Sequence, residues 1–189
     1  MSLYSLVLIV HVTAVLVLCA ALSIEALSLF HLRRASTLAE AQPWIQPLPK
    51  LSLFLATSGL LILFSGVYLV FVESALRQAW PKVAVAALLV LAPLGPMSGW
   101  RMRAIREAFK SAKVISPELL DQLQDTFLKL SLAIRISVFL GIFLLVSLKA
   151  TLWGSISILG ASVILGLASS AITSQGGASV PTRSVGRGG

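Results

Sequence analysis

Charge is scarce in this chain. Only 12% of its residues are Asp, Glu, Lys or Arg, against about 25% in a soluble globular protein. Acids are scarcer still, with 7 Asp+Glu against 15 Lys+Arg. There are 2 histidines and 1 cysteine. So thin a supply of titratable groups excludes most catalytic constellations. No cluster with metal-ligand spacing, no glycine-rich phosphate loop and no Ser-His-Asp set is visible. No catalytic residue and no metal site is therefore assigned, and the sequence requires no cofactor. The lone Cys19 excludes an internal disulfide and a CxxC pair. It reads as a small buried core residue.

What fills the chain instead is apolar. Hydrophobic residues make up 57%, above the usual ~45–50%, and the mean hydropathy is +0.95. A soluble enzyme of ordinary make-up is excluded. So is a disordered chain, which needs low hydrophobicity and high charge. The surplus apolar surface has to face lipid.

A spanning helix needs about 20 apolar residues at 1.5 Å each. Five segments meet or approach that length: 3–30, 51–72, 83–100, 128–148 and 152–172. The first lacks a basic leading region and is too long for a secretory signal core, so it reads as a retained transmembrane helix. The third is short and interrupted by Pro93 and Pro96, which predicts a kink, or a polar cavity where carbonyls are freed. Only Lys149, Ala150 and Thr151 separate the last two, which predicts a tight antiparallel hairpin. The fold class is all-α, a polytopic five-helix membrane bundle forming a single domain over 1–172. A glycine- and serine-rich tail over 173–189 reads as disordered. The stretch 31–49, with Pro43, Pro47 and Pro49, reads as a loop holding at most a short helix.

The formal net charge of +8 sorts by side. With the N-terminus outside, the inner segments hold Arg33, Arg34, Lys50, Arg101, Arg103, Arg106, Lys110, Lys113, Lys129, Arg183 and Arg187. The outer segments hold only Arg77, Lys82 and Lys149. The positive-inside rule then puts the C-terminus in the cytoplasm. A four-span alternative, with the last segment re-entrant, would move Arg183 and Arg187 outside. The excess charge thus reads as topology and not as nucleic-acid binding. Arg101, Arg103, Arg106, Lys110 and Lys113 alternate with Met102, Ile105 and Phe109 in an amphipathic basic stretch. It would lie against anionic headgroups on the cytoplasmic side, either as a plain anchor or as a specific lipid or protein site. Further on, Ser116-Pro117-Glu118 is a helix start, predicting one long helix over 117–148.

Three ionisable side chains fall within spans: His11, Glu25 and Arg135. Each costs about 3 kcal/mol on insertion scales, so each needs an inward-facing partner. Glu25 and Arg135 sit about 8 Å from the same end of two antiparallel helices. That predicts an ion pair, serving as a structural clasp or as part of a proton or ion relay. His11 lies fourteen residues before Glu25, on nearly the same helical face. His11, Val15, Leu18, Leu22 and Glu25 should therefore mark the inward side. Structural hydrogen bonding, a metal or haem ligand and proton transfer all remain open for His11. A haem would need a second His11 across a dimer or a partner protein. His31 lies about 30 Å away, and Met97 and Met102 lie near the opposite end. In the fifth segment, Gly160, Ser162, Gly166 and Ser170 are small residues suited to close helix packing, within the chain or against another subunit.

Three short stretches carry a resemblance. Leu8-Ile9-Val10-His11-Val12 resembles the first helix of a group of small bacterial integral-membrane proteins of unassigned function. Ser98-Gly99-Trp100-Arg101-Met102-Arg103 resembles the end of their middle helix. Leu145-Val146-Ser147-Leu148-Lys149, followed by Trp153-Gly154-Ser155, resembles their last hairpin, although Ala150 stands where a proline is common. The group is distantly similar to the membrane domain of CopD-like copper-resistance proteins, which also place a His in a helix. The resemblance implies a helical membrane bundle and a copper alternative for His11, without the extra His and Met residues of a copper path.

These readings favour a non-catalytic structural, assembly or accessory subunit, whose partners are the bilayer and another membrane chain or a second copy. The alternatives are a transporter or ion-handling protein using His11, Glu25 and Arg135, and a haem- or copper-binding module through His11.

Overall fold

A computed structural model describes residues 2–35, 37–111 and 126–175, with the side chains at 110, 111 and 170–175 outside that description. Among the described residues the chain is helical throughout and has no strand. Helix α1 is Leu3–Leu32, α2 is Leu38–Ile45 and α3 is Leu48–Val72. A 3-10 turn over Ala75–Arg77 leads to α4, Ala79–Leu91, and α5, Leu94–Ser111. Then come α6, Thr126–Leu148, and α7, Leu152–Gln175. Five stretches are long and apolar enough to cross a membrane, α4 and α5 together making one of them.

Local chemistry sets the boundaries. Ser2 caps α1, its hydroxyl accepting from the Ser5 amide at 3.2 Å. Thr37 caps α2 in the same way through the Glu40 amide. The stretch expected to be a loop with a short helix holds α2, which buries Ala41 and Ile45. Proline at position 49 opens the first turn of α3, where its missing N–H costs nothing. After α3, Ser74 adopts φ 54, and after α6, Lys149 adopts φ 45. Both turns use the left-handed conformation that ends helices, here without glycine.

The expected third span is two helices. The break falls at Ala92-Pro93, because Pro93 has no amide to donate and its ring crowds the preceding turn. Helix α5 then runs past Trp100 to Ser111, so the basic stretch continues the same helix. Residues 112–125 lie outside the described residues, so the predicted helix start at Pro117 does too. At the other end α7 runs to Gln175, three residues past the expected limit of 172, because no helix breaker intervenes before Gly176.

Packing forms two close pairs. Along α1 and α3, numbers rise on one helix as they fall on the other. Tyr4 bonds Glu73 and His11 bonds Ser65, while Leu55 packs against the cluster that holds Leu22 and Leu29. Helices α6 and α7 form the second antiparallel pair. Between α1 and α6 the backbones approach at few points, and Leu22 and Leu29 meet Leu132 there in a buried apolar cluster. One cluster at the α1 C-terminal end joins Leu32, Ile45, Leu48, Ile105 and Leu128. At the opposite end, Ala75, Trp80, Ala84 and Leu145 form another.

The inward face of α1 carries Ala14, Ala21, Leu22, Glu25, Ser28, Leu29 and Leu32, with His11, Val15 and Leu18 half-buried beside them. Cys19 is exposed, which corrects its reading as a core residue. Helix α1 is apolar on every side, so hydropathy alone does not say which small residue faces inward.

Candidate functional site

The polar interior centres on Glu25 of α1 and Arg135 of α6, each 9% exposed. Arg135 Nη2 donates to Glu25 Oε1 at 2.6 Å. Its Nε points back to the Ser131 carbonyl at 3.4 Å. One turn away, Ser131 and Ser98 share a hydroxyl–hydroxyl bond of 2.7 Å, which brings α5 to the same level. Glu25 Oε2 and Ser28 Oγ are buried without a hydrogen-bond partner. The arrangement neutralises two intramembrane charges against each other. It leaves one carboxylate oxygen and one hydroxyl, a turn apart on α1, with unused capacity.

His11 sits two turns from the other end of α1. Its Nδ1 is 2.8 Å from Ser65 Oγ. The Ser65 hydroxyl directs its one proton to the Leu61 carbonyl, so the lone pair it offers assigns the Nδ1–H tautomer to His11. Gly66 makes room for the ring: a Cβ there would stand 3.2 Å from His11 Cε1. About 21 Å of helix separates His11 from Glu25, and no chain of hydrogen bonds between described residues joins them. Nearer the helix end, Tyr4 donates to Glu73 at 2.7 Å.

The small residues of α7 divide between two faces. A Cβ at Gly166 would collide with Ser137, 2.8 Å from its Cβ, and would sit 3.2 Å from the Ala133 carbonyl oxygen. Ser162 lies against Gly141 of α6, its Oγ 3.0 Å from where a Cβ would stand. Ser162 and Gly166 therefore serve the α6–α7 seam. A Cβ at Gly160 would meet nothing within 4 Å, so this residue faces away from the seam. Two residues along a helix are 200° apart, so Gly160 does not share the face of Ser162. The side chain of Ser170 lies outside the described residues.

Among the basic residues, Arg101 stands over the Phe127 ring at 4.2 Å. Arg103 and Arg106 line a cavity between α3 and α5. Lys113 and the side chain of Lys110 lie outside the described residues. At the same end, His31 stacks on Trp44 with ring centroids 4.0 Å apart.

The copper and haem alternatives need donors beside His11. Soft or imidazole ligands are required for copper and an axial pair for most cytochrome haems. His11 is hydrogen-bonded to Ser65 through Nδ1, and its neighbours Ser65 and Gly66 add no such donor. No three His, Cys, Asp or Glu gather among the described residues. The residues present do not make that site within one chain.

Nothing in the sequence marks Ser65, Ser98, Ser131, Ser137 or Gly141 as a cross-helix partner. A serine in an apolar helix satisfies itself on the carbonyl four residues back, so it gives no signal of a cross-helix role.

Fold and site together describe a helical bundle with five stretches long and apolar enough to cross a membrane, among the described residues, and a buried ion pair between two of them. No family model, no curated protein and no solved structure matches the chain.

Proposed function

We propose that this is a non-catalytic multi-pass protein of the bacterial inner membrane, acting as a structural, assembly or accessory subunit of a membrane complex. The observation that carries the reading is the Glu25–Arg135 pair at 2.6 Å. Charges that would serve transport or catalysis are committed to holding α1 against α6. The outward position of Gly160 adds to it, since a small residue on a free face lets another helix approach closely. In this reading the N-terminus is outside and the C-terminus cytoplasmic. The end bearing Arg33, Arg34, Lys50, Arg101, Arg103, Arg106 and Lys129 then faces the cytoplasm, as the positive-inside rule requires.

Purification in a gentle detergent after cross-linking in native membranes tests it. A partner or second copy should be recovered in fixed stoichiometry. A homogeneous monomer, cross-linked to nothing, would reject the accessory role.

A second reading, proton or ion handling, draws on Glu25 Oε2 and Ser28 Oγ, which are buried and unpaired. Flux into proteoliposomes that falls on Glu25→Gln in folded protein supports it, and unchanged flux rejects it.

A further inference from the structure

A cavity of about 340 Å³ opens at the basic end of the bundle, between the first turns of α3 and the middle of α5. That volume lies within the range of about 300–1,000 Å³ typical of small-molecule sites. Its walls are of two kinds. Arg103, Arg106 and Glu107 supply charge, while Leu48, Pro49 and Met102 supply apolar surface. The buried Nε of Arg106 has no hydrogen-bond partner among the described residues. A buried guanidinium N–H left unmatched is costly, and the group that relieves it is an acceptor with negative charge. Helix α3 also begins here, with no side-chain cap on its first turn, so its positive end adds to the field.

The charges specify the ligand further. Two arginines against one glutamate leave one net positive charge, which matches the single negative charge of a phosphodiester. Free phosphate carries more than one at neutral pH and has no use for an apolar wall. The cavity sits where spans end, and Gly99 on its wall is followed in the chain by Trp100, which is 66% exposed; tryptophan favours the membrane interface. We propose that this cavity binds the phosphodiester headgroup of one anionic phospholipid. Arg103 and Arg106 hold the phosphate, and the glycerol end lies along Leu48, Pro49 and Met102. The inference is independent of the subunit role above.

The test uses the full chain, delipidated in detergent and followed by native mass spectrometry. It is titrated separately with phosphatidylglycerol, phosphatidylcholine and inorganic phosphate. One phosphatidylglycerol should be retained per chain, in preference to phosphatidylcholine by about tenfold, a difference of one well-placed charged contact. Arg106→Gln should remove that preference. Arg106→Lys should also weaken binding, because it keeps the charge and loses the Nε–H. Arg77→Gln with Lys82→Gln, which removes charge at the other end, should leave it intact. Circular dichroism and gel filtration check folding, and the exposed Arg103→Gln replaces Arg106→Gln if the latter misfolds. Equal retention of phosphatidylcholine overturns the proposal. So does an equal loss in the Arg77/Lys82 control, or inorganic phosphate that displaces the lipid at equal concentration.

Discussion

Glu25 and Arg135 are 110 positions apart in the chain, and the Arg135 guanidinium donates to the Glu25 carboxylate at 2.6 Å. The bond crosses a seam where the two backbones approach at few points and side chains bridge the gap. Helices α1 and α3 form one close pair and α6 and α7 another, while α1 and α6 touch at few points. A contact that is strong, directional and intolerant of mismatch sits beside the apolar cluster of Leu22, Leu29 and Leu132 that joins the same two helices.

Removing one partner leaves the other charge buried and unmatched, which typically costs about 3–5 kcal/mol. Glu25→Gln and Arg135→Gln should each lower stability by that order, read from unfolding in mixed micelles. The double change Glu25→Leu with Arg135→Met should recover most of the loss, because an apolar pair at the seam has no charge to strand. Single changes that cost under about 1 kcal/mol, the range of exposed pairs, would show that the pair does not hold the two halves together.

This pair was legible in the sequence because its physics is local. A charge in a span demands a partner, and only one acid and one arginine lay at a common depth. The helices were legible for the same reason, since lipid demands long apolar runs. The partner of His11 was not, because any serine in α3 satisfies its own hydroxyl and only helix register selects Ser65. Cys19 misled in the opposite way: on a helix apolar all round, composition does not separate the lipid face from the packed face. Gly160 and Gly166 look alike as small residues, and rotation about the helix axis sets them about 120° apart, on different faces.

That difference makes a paired test. At Gly166 an added methyl group would meet Ser137 and the Ala133 carbonyl. Gly166→Ala should therefore destabilise the α6–α7 hairpin by about 1–3 kcal/mol, as overpacking does. Gly160→Ala should leave the isolated chain unchanged, because nothing lies within 4 Å. Thermal stability of the two variants in the same detergent separates them. Equal effects would mean that the close approach of α6 and α7 is not centred on Gly166.

His11 and Ser65 should show a modest energetic coupling. Interhelical hydrogen bonds within a membrane average about 0.6 kcal/mol in double-mutant cycles. The cycle His11→Phe, Ser65→Ala and both together should return a coupling of that order. Gly66→Val, which pushes bulk into the berth of the His11 ring, should reduce stability by more than His11→Phe does. A coupling of zero would detach His11 from α3.

The break between α4 and α5 has its own consequence for the site. Ser98 reaches Ser131 at 2.7 Å only because α5 starts afresh after Pro93, with the Met97 amide donating to the Pro93 carbonyl at 3.2 Å. An alanine at position 93 restores an amide donor aimed at the Leu89 carbonyl and removes the ring that crowds the turn. The two helices should then fuse into one, and Ser98 should swing off its position opposite α6. In a Cys19→Ser background, Ser98→Cys with Ser131→Cys should form a disulfide readily, since the two hydroxyls already lie in contact and the bond requires Cα atoms about 4.4–6.8 Å apart. Adding Pro93→Ala should lower the cross-linked fraction severalfold while helicity rises slightly. If cross-linking is unchanged, α5 is held against α6 by its other contacts, and the proline break does not position the serine pair.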